Sequence, residues 1–168
     1  DHVSDIPALM KARWLAGEES LRIHGPAGTE KLIEGMLDTH EYMQDRLDLQ
    51  IEELDPADGP FEIAGFEVTA METRHSMDCL AYRVERGAGS PPLVFSGDSE
   101  AFEGLIEFAD GAAVLIHDCS FPDDVDVSNH PTPASLGAAL ANADAEVGRI
   151  YLTHLYPHTE GRHEEMLD

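Results

Sequence analysis

The chain has 168 residues, of which 42% are hydrophobic, enough to bury the core of one domain. No apolar run is long enough to cross a membrane, and the first residues do not resemble a signal peptide. The only cysteines, Cys79 and Cys119, are too few for a disulfide scaffold, and their apolar surroundings favour buried free thiols. These features argue against membrane and disulfide-rich secreted proteins, and we expect a cytoplasmic protein with one domain over residues 1–168.

Acidic residues dominate the charge, since 34 Asp and Glu against 10 Lys and Arg give a net charge of −24. Such a surface repels polyanions in dilute buffer, because affinity for nucleic acid depends largely on Lys and Arg contacts to phosphate. The acidic residues are spread along the chain, which is typical of adaptation to high salt, where a Debye length of about 3 Å at 1 M weakens repulsion. The charge therefore favours a salt-loving source over a specific cationic partner and says little about a substrate.

Helical and strand patterns alternate along the first third of the chain. The predicted elements are a helix over residues 4–16, a strand over 21–24, a helix over 29–43 and a strand over 47–54. The apolar face of the first helix carries Ile6, Leu9, Met10 and Trp14. The second helix has Thr29 as its predicted N-cap, and its inward face carries Leu32, Ile33, Met36, Leu37 and Tyr42.

Strands dominate the rest of the chain. A hairpin is predicted over residues 61–71, with its turn at Ala64 and Gly65. Further strands are predicted over residues 79–85, 93–95, 113–116 and 149–153. Helices are predicted over residues 101–108 and 132–143, and from Glu160 onward. This alternation predicts a layered α/β domain with mixed sheets.

Potential metal ligands lie just before predicted elements or at their ends. Asp1 and His2 precede the first helix, and His75 follows the predicted hairpin. Asp98 follows the 93–95 strand, and His154 ends the 149–153 strand. Two further imidazoles, on His117 and His130, fall near other strand and loop ends. Imidazole and carboxylate groups that converge at the rim of an α/β layer are what a hydrolytic zinc centre needs.

Several short motifs, taken in order, resemble one family. Asp1-His2-Val-Ser-Asp is similar to the tail of the His-x-His-x-Asp-His motif of metallo-β-lactamase-fold hydrolases, without its first two histidines. The ribonuclease Z group of that family is the most similar. Its other motifs are matched by His75 ahead of Leu80-Ala-Tyr-Arg83, by Ser96-Gly-Asp98, by Leu115-Ile-His-Asp118, by His130-Pro-Thr132 and by Leu152-Thr-His154. The resemblance implies an αββα sandwich that is incomplete, because its N-terminal strands are missing.

The resemblance also assigns roles to these residues. It implies that Asp1, His2 and His154 hold one zinc ion, that Asp98 bridges two ions, and that His75 serves the second. Manganese or iron remain open as the native metal. A hydroxide between the metals is expected to attack phosphorus. His130 and Asp1 are the implied catalytic residues, and His130 stabilises the transition state or protonates the leaving oxygen. His117 and Asp118 are expected to support the ligands rather than to bind metal.

One departure from the ribonuclease Z pattern affects the expected substrate. Many of those enzymes have a long arm for transfer RNA between the third histidine and the bridging aspartate, and the segment from His75 to Asp98 has no room for it. RNA ends and cyclic nucleotides are the expected phosphodiester substrates. A thioester, lactam or lactone hydrolase and a non-catalytic metal-binding fragment stay open. A homodimer through the first helices is a further expectation. The other four histidines are interpreted as structural or solvated: His24, His40, His158 and His163.

Overall fold

The computed structural model describes residues 3–87 and 89–167, which divide into two compact units, Asp1–Asp55 and Pro56–Asp168. No helix within the described part of the chain is long and apolar enough to span a membrane. The prediction of one domain over residues 1–168 stays a prediction.

The first unit is built around a parallel strand pair joined by a helix. Its elements are α1 (Ile6–Leu15), β1 (Ser20–Gly25), α2 (Thr29–Thr39), a 3-10 turn (Glu41–Met43) and β2 (Asp48–Glu53). β1 and β2 pair in parallel from Ser20 opposite Asp48 to Gly25 opposite Glu53, so α2 is the crossover that parallel strands require. The Glu53 carboxylate accepts hydrogen bonds from the Gly28 and Glu30 amides, at 2.8 and 3.0 Å, and joins the start of α2 to β2.

Two expectations for the first unit are corrected. The second helix ends at Thr39 rather than Met43, and its N-cap is Gly28, whose left-handed φ of 92° suits glycine. Leu32 and Tyr42 do not face inward, because they are 38% and 51% exposed. The expected inward face of α1 is also only partly right: Met10 is buried, whereas Leu9 is exposed. Apolar groups on these helices are compatible with the expected homodimer, which stays a prediction.

The second unit contains a six-stranded mixed sheet in sequence order. Its strands are β3 (Phe61–Ile63), β4 (Phe66–Glu72), β5 (Leu80–Glu85), β6 (Leu93–Phe95), β7 (Val114–Asp118) and β8 (Arg149–Thr153). The first four pair antiparallel, and β6, β7 and β8 pair in parallel. The hairpin between β3 and β4 turns at Ala64 and Gly65 as predicted, and both have positive φ, as a tight two-residue hairpin turn requires.

Two helices cross between the parallel strands. α3 (Glu103–Phe108) joins β6 to β7, and α4 (Pro133–Asn142) joins β7 to β8. Thr132 caps α4 in a capping box with Ser135, which satisfies amides at the helix start. The helices and strands share one buried cluster: Ala81, Val94, Leu105, Ile106, Ala109, Ala112, Leu115, Leu136 and Ala139.

This topology positions the loops that follow the parallel strands. The carboxyl ends of β6, β7 and β8 lie side by side at one edge of the sheet, which is where open α/β sheets bind ligands. The predicted α/β class with a mixed sheet is confirmed. The helix expected from Glu160 onward is wrong: a 3-10 turn covers Pro157–Thr159, and further turns follow as far as Leu167.

Candidate metal centre

Four predicted site residues converge at the carboxyl edge of the sheet. His75 follows β4, Asp98 follows β6, His130 precedes α4 and His154 follows β8. The His130 ring centroid lies 5.1 Å from that of His75 and 5.0 Å from that of His154. Nε2 of His154 lies 3.6 Å from Oδ2 of Asp98. Asp1 and His2, the remaining predicted ligands, lie outside the described residues.

The spacing of Asp98 and His154 fits a shared divalent ion. Zinc binds imidazole nitrogen and carboxylate oxygen at about 2.0–2.2 Å, which places two ligand atoms of one tetrahedral ion about 3.4 Å apart. The separation of 3.6 Å between Asp98 and His154 is close to that value. Both side chains are mostly buried, at 15% and 14% exposed, so water competes weakly for the ligand atoms. The donor set and its spacing therefore fit the metal that the family motif implies.

Asp118 orients the imidazole of His130 directly and that of His154 through Ser120. Its carboxylate is fully buried at the end of β7. Oδ2 accepts a hydrogen bond from Nδ1 of His130 at 2.7 Å and another from the amide of Ser99 at 3.3 Å. Oδ1 accepts a hydrogen bond from the hydroxyl of Ser120 at 2.5 Å. A buried carboxylate with these partners fixes the position of each group that donates to it.

These hydrogen bonds also determine where the proton of His154 lies. The Ser120 hydroxyl has one proton, which it donates to Asp118, so its 2.8 Å contact with Nδ1 of His154 requires that nitrogen to donate. In the neutral ring Nε2 of His154 then carries the lone pair, and it is the nitrogen that faces Asp98. A partner that holds the other ring nitrogen is the usual support of a metal-ligating histidine.

Asp118, His130 and His154 also form a group whose ligand atoms lie within 4.8 Å of one another. Three hydrogen bonds already occupy the Asp118 carboxylate, and His130 points Nδ1 at it rather than at an ion. We therefore favour Asp98 and His154 as ligands and Asp118 as their support, in agreement with the sequence-based assignment.

His117 has a supporting place in the core. Its side chain is fully buried, and Nδ1 contacts the backbone oxygen of Asp118 at 2.6 Å. Burial lowers the pKa of His117, and the Asp118 backbone contact and carboxylate oppose that shift less strongly. Nε2 has no hydrogen-bond partner among the described residues. The lowered pKa favours a neutral ring, and full burial suits the predicted supporting role.

The sequence analysis did not predict the aromatic pair Phe121 and Tyr156, or the serines Ser99 and Ser120, at this edge of the sheet. Tyr156 stacks on Phe121 at 4.7 Å between centroids, and its ring lies 5.8 Å from that of His130 and 5.1 Å from that of His154. Ser99 and Ser120 contact Asp118, as described above. The one available signal was position, since both serines lie within two residues of a predicted site aspartate.

The loop that carries Asp98 depends on Gly97. Gly97 has a φ of 61°, and a Cβ there would lie 2.7 Å from the backbone oxygen of Leu80 and 2.9 Å from Sγ of Cys79. Gly97→Ala should lower the free energy of unfolding by at least about 1–3 kcal/mol, because left-handed strain adds to the overlap with backbone. Denaturant unfolding in high salt measures this change.

Gly137→Ala is the matched control for that substitution. Gly137 lies within α4 and has open space around its Cβ position, so alanine there should stabilise the protein by about 0.5–1 kcal/mol. Equal effects of the two substitutions would contradict the role given to Gly97.

The two thiols should differ sharply in reactivity. Cys119 is fully buried, and burial together with the Asp118 and Asp123 carboxylates raises the pKa of its thiol to about 12. Cys79 is half-buried. Because the thiolate is the reactive form, a disulfide reagent at pH 8 should label one thiol per chain in the folded protein and both after unfolding. Peptide mapping that finds label on Cys119 before unfolding would refute this expectation.

Comparison with known proteins agrees with the fold. The beta-lactamase superfamily domain matches residues 1–155. The chain is 30% identical to the probable metallo-hydrolase YhfI of Bacillus subtilis, over 94% of this chain and 62% of that protein. It is 28% identical to ribonuclease Z of Methanosarcina acetivorans, over 92% of this chain and 67% of that enzyme. The chain thus spans about two thirds of the length of these relatives.

Solved structures give the same fold. The crystal structure of YhfI, described as a metallo-beta-lactamase fold protein, superposes with a TM-score of 0.71 at 25% identity and covers 98% of this chain and 66% of that one. Human tRNase Z, short form, superposes with the same TM-score of 0.71 at 17% identity, which shows the fold alone, over 92% of this chain and 68% of that one. The predicted metallo-β-lactamase-type fold is confirmed.

The two sequence alignments differ in length. The ribonuclease Z alignment extends over 207 positions, whereas 92% of this 168-residue chain is about 155 residues, so about 50 positions lack a counterpart. The YhfI alignment extends over 168 positions and includes 94% of this chain, about 158 residues. About 10 of its positions therefore lack a counterpart in this chain. Between His75 and Asp98 the described residues, 76–87 and 89–97, contain β5, β6 and their connections.

Proposed function

The chain belongs to the beta-lactamase superfamily, and on this premise we propose that it is a metal-dependent hydrolase of phosphodiester bonds. The observation that carries the proposal is the Asp118–His130 pair beside the Asp98–His154 pair, with the His130 and His154 rings stacked at 5.0 Å. One pair suits a divalent ion and the other suits proton transfer, and phosphodiester hydrolysis needs both.

The metal ligands follow from the ligand spacing and the family motif. Asp98 and His154 would share one ion with Asp1 and His2, and Asp98 would also bridge to a second ion held by His75. Zinc fits these donors best, although manganese or iron also bind imidazole and carboxylate. Such ions supply Lewis acidity and lower the pKa of bound water.

The protein's own residues would handle the proton of the leaving group. Nδ1 of His130 donates to the buried Asp118 carboxylate, which leaves Nε2 to hold a proton on the side away from Asp118. Because the Asp118 carboxylate fixes the orientation of the ring, His130 is positioned to protonate the leaving oxygen. Ser99 and Ser120 keep Asp118 in place through their own hydrogen bonds to it.

The comparisons favour a small phosphodiester over transfer RNA. The M. acetivorans relative is named a ribonuclease, but its alignment contains about 50 positions that this chain lacks, and YhfI aligns with few gaps. RNA ends and cyclic nucleotides are the substrates we infer.

A panel of activated esters tests this function. The protein joined to the upstream His-x-His segment of the family motif, loaded with zinc or manganese in high salt, should hydrolyse bis(p-nitrophenyl) phosphate. It should act more slowly on a thioester, a lactone and a chromogenic lactam. Activity on a lactam or thioester with none on the phosphate would overturn the phosphodiester assignment. No hydrolysis of any substrate by a metal-loaded protein would favour a non-catalytic metal-binding domain.

A further inference from the structure

A second hollow adjoins the one beside His130. The hollow that contains His130 has a volume of about 620 Å³, and its neighbour has a volume of about 580 Å³. Ala101 and Ser135 line both, so the two hollows lie side by side. The neighbour is also lined by side chains that carry charge, an amide or an aromatic ring: Arg74, Phe102, Glu103, Glu107 and Asn142.

Arg74 and Phe102 form a flat platform in this second hollow. The guanidinium carbon of Arg74 lies 4.1 Å from the centroid of the Phe102 ring, which is stacking distance. The Arg74 backbone is fixed at both ends, since its amide donates to the Ser99 hydroxyl at 3.3 Å and its carbonyl accepts from the Glu100 amide at 2.8 Å. Arg74 is thereby tied to the loop that carries Asp98 and directly precedes His75.

The Arg74 guanidinium packs on the Phe102 ring and not against a carboxylate. Within residues 3–87 and 89–167, no ion pair joins Arg74 to Asp or Glu, although the chain has 34 acidic residues. Arg74 is exposed, so a flat ligand from solvent has access to its side chain. Flat nucleobases stack on guanidinium planes as they do on aromatic rings.

The charged side chains near the Arg74–Phe102 pair disfavour binding of an anion in the second hollow. Glu103 and Glu107 line the same hollow, and Glu100 lines the adjoining one, so the carboxylates along the two hollows outnumber the single guanidinium. A phosphate here would meet more repulsion than attraction. A neutral ring with an amino group would instead donate hydrogen bonds to these carboxylates, and the Asn142 amide offers both a donor and an acceptor.

We propose that the Arg74–Phe102 platform is a subsite for a nucleobase that bears an exocyclic amino group. This inference rests on the proposed function, because the scissile phosphodiester would lie at the candidate metal centre while its base occupies the second hollow. Glu103, Glu107 and Asn142 would read the amino edge of the base. The subsite narrows the substrate class to phosphodiesters of amino-bearing nucleosides.

Cytosine and uracil compounds test the subsite, because these rings have similar shapes but only cytosine has an amino group. By equilibrium dialysis in high salt, the 168-residue chain should bind cytidine more tightly than uridine. Arg74→Ala and Arg74→Lys should each weaken cytidine binding about 5- to 100-fold, the range for loss of one stacked base, since lysine keeps the charge without the flat surface. Arg149→Ala is the matched control, as this exposed arginine lies on β8 and does not line either hollow.

Hydrolysis gives the second measurement. The protein with the upstream segment should have a higher kcat/KM for 2′,3′-cyclic CMP than for 2′,3′-cyclic UMP, and Glu103→Gln with Glu107→Gln should bring that ratio toward one. If phosphodiesters are cleaved without discrimination and the Arg74 substitutions leave cytidine binding unchanged, the subsite is overturned and the hydrolase proposal stands. If cytidine binding depends on Arg74 but no phosphodiester is cleaved, the base site stands and the proposed function fails.

Discussion

Asp98→Ala should remove the tightly bound metal ion and lower phosphodiester hydrolysis by more than about 100-fold, since even residues that only support ligands contribute about 10- to 100-fold. The physical reason is the 3.6 Å separation between Asp98 and His154, which suits two ligands of one ion. Metal content by mass spectrometry after dialysis in high salt is the first measurement. In the 168-residue chain we expect about one zinc ion per molecule, lost in the variant.

The control for that experiment is Asp144→Ala, which removes an exposed aspartate outside the candidate centre. It should retain the metal and the activity of the unmodified chain. Far-ultraviolet circular dichroism of both variants separates loss of metal from loss of fold. If Asp98→Ala is folded and keeps its zinc, the ligand assignment of Asp98 is wrong.

His130→Ala should lower kcat by about 10²- to 10⁴-fold for a substrate with a poor leaving group, the usual contribution of a positioned general acid. The loss should be much smaller for bis(p-nitrophenyl) phosphate, because p-nitrophenolate departs without protonation. Asp118→Asn should show the same leaving-group dependence, since Asp118 holds the His130 ring through a 2.7 Å hydrogen bond. A comparison of cyclic nucleotides with the activated ester measures this difference.

His163→Ala controls for the loss of an imidazole, because His163 is exposed and lies outside the site. It should leave the rates on both kinds of substrate unchanged. Metal content must be measured alongside, since His130 stacks on His154 and could act through it. Equal losses on both substrates, together with lower metal content, would make His130 a ligand or a structural residue rather than a proton donor.

Local patterns predicted most of the secondary structure because each depends on neighbours in the chain. Alternation gave β4 and β5, helical spacing gave α4, and Ala64 with Gly65 marked the β3–β4 turn. Prediction failed where a short helical pattern lacked an apolar face to bury. The stretch after Glu160 contains Met166 as its one buried hydrophobic residue, and it forms turns.

The candidate site divides in the same way. Short motifs in the sequence, through their resemblance to the family, predicted His75, Asp98, His130 and His154 as site residues, because each motif is a run of neighbouring residues. Only the tertiary structure showed that Ser99, Ser120 and Asp118 determine which imidazole nitrogen carries a proton, and that Arg74 stacks on Phe102. Those contacts join residues that are distant in the chain, and parallel pairing of β6, β7 and β8 brings together strand ends that no local pattern relates.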